Sequence, residues 1–293
     1  MAQYAIKELE HLSGIKAHTI RIWEQRYNLL TPQRTETNIR FYSDADLKTL
    51  LNVSVLTSKG YKISKIAQMS EEDLRKEVLE LSAGNATDQL RIDTLLVAMI
   101  ELDEAKFEKA LSMPILQLGF EKAMLQVVYP FLERIGILWQ TSNIHPAHEH
   151  FVSNYIRRKI IVAIDGQVLQ RKETATRLLL FLPEGELHEL ALLFINYLAR
   201  ARKHHVMYLG QSLPYEDLAE VVNFYKPHYL VSVFTSYPDI DQIQNFIDLL
   251  ASSFSSTSIL LYGSQLHNET LVYPANVTKT LRITDVINLL DKI

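Results

Sequence analysis

The sequence contains no cysteine. That excludes disulfides, thiolate metal sites, iron–sulfur clusters and cysteine nucleophiles together. No apolar run approaches the ~20 residues that a membrane span needs. The first 20 residues hold no uninterrupted apolar core and no small-residue cleavage site, so no signal peptide is expected. There are only nine glycines, and no Gly-rich phosphate loop among them. Paired catalytic carboxylates and a metal triad are missing too. The expectation is a soluble, cytoplasmic protein with no catalytic residues and no membrane partner.

What is present is an ordinary globular composition, with 47% hydrophobic and 22% charged residues. A length of 293 residues suggests two domains, with room for three small ones. The formal charge of −4 argues on its face against nucleic acid. It is unevenly spread, however. Residues 1–70 carry ten Lys/Arg against six Asp/Glu, or +4, and the remainder carries 20 against 28, or −8. A small basic part joined to a larger acidic one is a pointer to a nucleic-acid module attached to something else.

The periodicity divides the chain in three. Ile6, Leu9 and Leu12 fall at helical spacing, Ser13-Gly14 breaks the helix, and a second helix fits Lys16 to Arg26. Two short helices joined by a Gly-containing turn are a helix-turn-helix signature. Residues 33–42 suit a short exposed β-ribbon, and Ser43-Asp44-Ala45-Asp46 is an N-cap cluster opening the next helix. From Glu71 to about Arg171 the pattern stays helical, with candidate helices at Leu90–Ile100, Ala105–Leu111, Ile115–Leu138 and Pro146–Leu169. Short joints imply a four- or five-helix bundle. After Glu173, apolar runs at Arg177–Pro183, His205–Leu209, His228–Thr235 and Ser258–Tyr262 alternate with helical patterns. This implies a doubly wound parallel sheet of flavodoxin-like type, with ligands beyond the strand C-termini. The expected domains are therefore a winged helix-turn-helix over 1–72, a helical bundle over 73–172 and an α/β domain over 173–293, an α and α/β multidomain chain.

The stretch Thr19-Ile20-Arg21-Ile22-Trp23-Glu24-Gln25-Arg26-Tyr27, then Pro32 and Arg34, then Arg40-Phe41-Tyr42-Ser43, resembles the DNA-binding domain of MerR-type transcription regulators. The resemblance implies double-stranded operator DNA as a partner. Thr19, Arg21, Arg26 and Tyr27 would face the DNA from the second helix, and Arg34, Arg40 and Tyr42 would grip phosphates from the wing. Trp23 is expected in the core, and Glu24 is expected to order a neighbouring Arg. Such modules bind as dimers, because near-palindromic sites mirror a protein two-fold. No sustained heptad run follows the wing, so a dimer or higher oligomer would form by another route.

Farther on, Glu186-Leu187-His188-Glu189-Leu190-Ala191, then Ser232-Val233-Phe234, then Gly263-Ser264, resemble the cobalamin-binding fold. Trp139 with downstream Glu149-His150 is similar to the helical cap of CarH/LitR-type cobalamin-dependent repressors. That class also begins with a MerR-type module. The resemblance implies a cobalamin, of the adenosyl form, between bundle and α/β domain. His188 would ligate cobalt, Glu186 would fix its tautomer, Ser232 and Gly263 would line the slot for the nucleotide tail, and Trp139, Glu149 and His150 would cover the upper face. The chain departs from the pattern at Glu186 for Asp, Ala191 for Gly, Phe234 for Leu, Ser264 for Gly, and Gln140 where light-sensing relatives carry His. The expected function is a regulator, of repressor type, whose oligomeric state and operator binding respond to this ligand. The alternative is a MerR-type regulator whose cobalamin fold is degenerate and senses another ligand or a protein.

Overall fold

A computed structural model describes residues 4–35, 38–82, 87–140, 145–168, 175–238 and 242–293. The chain divides into two compact units, Met1–Tyr155 and Ile156–Ile293.

The first unit opens with α1 (Ile6–Ser13) and α2 (Ala17–Tyr27). Gly14 ends α1 in the left-handed region at φ 71°, a conformation that costs glycine little. Strands β1 (Gln33–Arg34) and β2 (Arg40–Phe41) pair antiparallel as a two-stranded wing. Ser43 and Asp46 then form a capping box at the start of α3 (Asp44–Ser58), satisfying two otherwise orphaned N–H groups. Tyr4 and Tyr42 exchange backbone hydrogen bonds of 2.9 Å, tying the chain start to the wing. Leu9, Leu12, Ile20, Leu47, Leu50 and Leu51 are buried between these helices.

The short α4 (Ile63–Ile66) and α5 (Glu71–Ser82) lead into α6 (Asp88–Ile100) and α7 (Glu104–Leu118). The sequence suggests a break after Leu111 and one long helix from Ile115. Instead α7 runs through Pro114 and stops at Gly119, whose φ of 82° few other residues tolerate. A helical turn, α8 (Phe120–Ala123), passes through a π-helical segment at Met124–Val128 into α9 (Tyr129–Gln140). Last comes α10 (Pro146–Asp165), whose residues up to Tyr155 belong to this unit. Phe107 is fully buried and packs within 6.0 Å of the Phe131, Phe151 and Tyr155 rings.

The second unit is a five-stranded parallel sheet. Its strands are β3 (Arg177–Pro183), β4 (His205–Leu213), β5 (Tyr229–Val233), β6 (Ser258–Tyr262) and β7 (Val277–Thr280), in spatial order β4-β3-β5-β6-β7. Helices α11 (Leu190–Ala201), α12 (Tyr215–Tyr225), α13 (Ile243–Ser253) and α14 (Ile283–Leu290) connect or follow them. This is the flavodoxin-like order, and it puts the topological switch point between β3 and β5. Residues 178–182 of β3 are wholly buried, as a sheet covered on both faces requires.

Candidate functional site

At the switch point, β3 ends at Pro183 and the chain turns through Gly185 into Glu186, Leu187 and His188 before α11 begins. Glu186 is completely buried. One of its oxygens, Oε2, accepts from three consecutive backbone N–H groups beyond β5: Thr235 at 3.0 Å, Ser236 at 2.7 Å and Tyr237 at 3.0 Å. The other, Oε1, accepts from the His188 backbone N–H at 2.9 Å and lies 2.7 Å from His188 Nδ1. Burial by itself pushes this carboxyl up. The hydrogen bonds from His188, Ser236 and Tyr237 outweigh it and hold the group well below the usual carboxylate range, so it is an anion.

The imidazole is thereby fixed by its Nδ1 edge. Ser236 Oγ stands 3.0 Å from the same nitrogen. The His188 side chain is nonetheless 55% exposed, which leaves the ring open to something from outside the fold. Its neighbour Glu189 is buried, paired with Arg157 and accepting the Tyr208 hydroxyl at 2.8 Å. A cleft of about 360 Å³ opens at the ends of β3, β4 and β5, lined among others by Leu213, Tyr215, Tyr237, Phe246 and Leu249.

Among the described residues no three His, Asp or Glu side chains converge on one point. His188 is thus presented as a single oriented imidazole rather than as a member of a cluster of ligands. An exposed imidazole oriented by a buried carboxylate suits a single axial ligand. These residues fit a corrinoid at its metal end.

The other sequence-derived positions sit differently. Ser232 is fully buried and donates its hydroxyl to the Phe181 carbonyl at 2.9 Å. Phe234 is likewise buried, its ring 5.9 Å from that of Phe246. Gly263 has φ 134°, and a Cβ there would lie 2.2 Å from the Phe234 carbonyl oxygen. Its smallness serves a backbone contact between two strand ends. Glu149 and His150 lie in the first unit, in the first turns of α10, where the His150 carbonyl accepts from Asn154 Nδ2 at 2.8 Å. Trp139 is in α9, its side chain outside the described ones. Ser236 and the backbone of residues 235–237 carry no sequence signal. Only the rule that ligands gather beyond strand C-termini points there.

In the first unit, Arg21 and Arg26 stand exposed on α2, with Thr19 and Tyr27 half-buried beside them. Arg34 is exposed on β1, its Nη1 2.6 Å from Asn38 Oδ1. Arg40 Nε pairs with Glu24 at 3.2 Å, so Glu24 orders the wing arginine. Trp23 packs against the apolar cluster around Val55, Leu56 and Ile66. Tyr42 corrects the expectation of a phosphate contact. It is fully buried and donates to Glu24 Oε2 at 3.0 Å. Burial and that bond push its pKa up to about 12. A tyrosine that closes a core cannot also reach a phosphate.

The MerR HTH family of regulatory proteins matches residues 4–73, and the B12 binding domain matches residues 91–163. The chain joins a MerR-type helix-turn-helix module to a B12 binding domain. Over 233 residues it is 29% identical to the HTH-type transcriptional repressor CarH of Myxococcus xanthus, covering 78% of this chain and 77% of CarH. It is 25% identical to the repressor CarA of the same organism, over 71% of this chain and 68% of CarA. The fold resembles that of the monomethylamine corrinoid protein of Methanosarcina barkeri, with a TM-score of 0.55 and 13% identity, over 70% of this chain and 99% of that one. The helix-turn-helix match precedes the B12 binding match in the chain. No helix among its described residues is long and apolar enough to cross a membrane.

Proposed function

We propose that this regulator is a cytoplasmic, operator-binding repressor gated by a cobalamin-type ligand, with His188 as the axial ligand to cobalt. The Glu186–His188 pair carries this reading: a buried anion orients an imidazole whose ring faces solvent. A bound corrinoid would supply a metal centre, and His188 is the residue that would hold it. Glu186 keeps the imidazole from rotating and raises its basicity, and Ser236 limits its tilt. Trp139, Glu149 and His150 are assigned to the upper face, and Ser232 and Gly263 to the tail slot, through the family resemblance.

On the DNA side, Arg21 and Arg26 on α2 and Arg34 and Arg40 on the wing are assigned to phosphates and base edges, with Thr19 and Tyr27 beside them on α2. Self-association then matters through avidity. Two or more readers engaged together change operator affinity strongly without altering any single contact. A ligand that binds one oligomeric state better shifts the population toward it.

A second reading keeps the regulator and drops the corrinoid. It is favoured by Ser232, whose hydroxyl is taken by Phe181, and by Phe234, which fills core volume. Loading with adenosylcobalamin in the dark, followed by gel filtration, separates the two. Retained corrin absorption that His188→Ala shifts or abolishes supports the first reading. Corrin lost on the column supports the second. Unchanged gel shifts for Arg21→Ala and Arg40→Ala would overturn the DNA assignment in both.

A further inference from the structure

We infer that the first unit holds a small-molecule site that shares no residue with those assigned to the corrinoid: an apolar cavity between the DNA reader and the bundle. The cavity measures about 170 Å³ and is walled by Asn52 and Val55 of α3, Val78 of α5, and residues of α6 and α7 such as Leu90, Val97 and Met113. All of these lie within Met1–Tyr155. An engineered apolar cavity of ~150 Å³ stays dry and takes up benzene, so this one has room for a single ring.

Its polar residues show what the ligand must carry. Arg91 is held by Asp88 and Gln117, Asp93 by Arg134 and Gln89, and Lys106 by Glu101. Thr94 donates to the Leu90 carbonyl at 2.8 Å, and Lys109 stands exposed at the rim. Asn52 differs. It is 5% exposed and lines the cavity from the middle of α3, where its amide is open to the cavity space. An amide that faces an apolar cavity favours an occupant able to hydrogen-bond to it, and asparagine adds nothing to a helix interior. The cavity therefore suits an uncharged apolar molecule, one ring in size, that presents one hydrogen-bonding oxygen or nitrogen to Asn52. Because α3 follows the wing and α6 begins the B12 binding domain, an occupant bridges reader and sensor within one unit.

Benzene and phenol are the probes, titrated into the full chain and followed by calorimetry and by the methyl NMR signals of Val55, Val78 and Leu90. Both should bind, phenol about tenfold tighter for one added hydrogen bond. Asn52→Leu should erase the preference for phenol, and Ala110→Phe, which projects a ring into the cavity, should abolish binding of both. Wild-type methyl signals unmoved by either probe would overturn the site. So would undiminished binding to Ala110→Phe. Equal affinity for the two probes in the wild type would overturn the role of Asn52.

Discussion

Replacing Glu186 with Ala removes the one acceptor shared by four backbone N–H groups and the His188 ring. Each abandoned N–H costs about 1 kcal/mol when a water can partly replace the acceptor, and more when none can. Against this stands relief of the burial that penalises the carboxylate. The net expectation is a loss of about 3 kcal/mol from the second unit, or roughly 10 °C in its melting temperature. The sequence offers a built-in way to localise the effect. Its two tryptophans, Trp23 and Trp139, both lie in Met1–Tyr155. Tryptophan fluorescence therefore follows the first unit, while far-UV circular dichroism follows both. Glu186→Ala should move a circular dichroism transition and leave the fluorescence transition in place. Glu186→Gln, which keeps one oxygen, should fall between variant and wild type. A loss below about 1 kcal/mol, or equal shifts by both probes, would refute the idea that this carboxylate ties two loops of the α/β unit together.

Gly263→Ala should destabilise the same unit by several kcal/mol, on the order expected for strain and overpacking together, since its Cβ would sit 2.2 Å from the Phe234 carbonyl oxygen; a urea midpoint within error of wild type would show the backbone yields. Arg26→Ala should lower the slope of log affinity against log salt by about 1 without moving the melting temperature, because the side chain is exposed; an unchanged slope would remove it from the interface. Asp93 has its pKa pushed up to about 6 by burial, against the pull of Arg134 and Gln89. A raised folded value means stability is fully present below the unfolded pKa near 4 and is lost as pH rises through about 6. Wild type should therefore lose about 3 kcal/mol between pH 4 and 7.5 relative to Asp93→Asn, read by tryptophan fluorescence; a difference of opposite sign would contradict it.

Much of this architecture was legible because the physical periods are strong. The apolar runs at Arg177–Pro183 and Ser258–Tyr262 coincide with β3 and β6. The fifth strand, Val277–Thr280, was not foreseen. It is a short edge strand whose middle residues are exposed, so it lacks the buried run that marks its neighbours. The long helix inferred from Ile115 failed because Gly119 decides the break, and helical spacing of apolar residues continues across it. At the site, Glu186 and His188 were visible as a motif. Ser236 and the backbone of 235–237 were not, because main-chain donors leave no trace in residue type. Tyr42 misled for a related reason. A tyrosine beside a wing arginine reads as a phosphate contact until its neighbour Glu24 is seen to claim the hydroxyl.

The double grip of Glu186 has a consequence for signalling. Its Oε1 meets the imidazole after β3 and its Oε2 meets the backbone after β5. The two loops border the same crevice and are otherwise far apart in sequence. Loss of that carboxylate would therefore loosen both loops of the crevice together. The ring that faces solvent is thus coupled to the second loop by two routes, through the Glu186 carboxylate and directly through Ser236 Oγ.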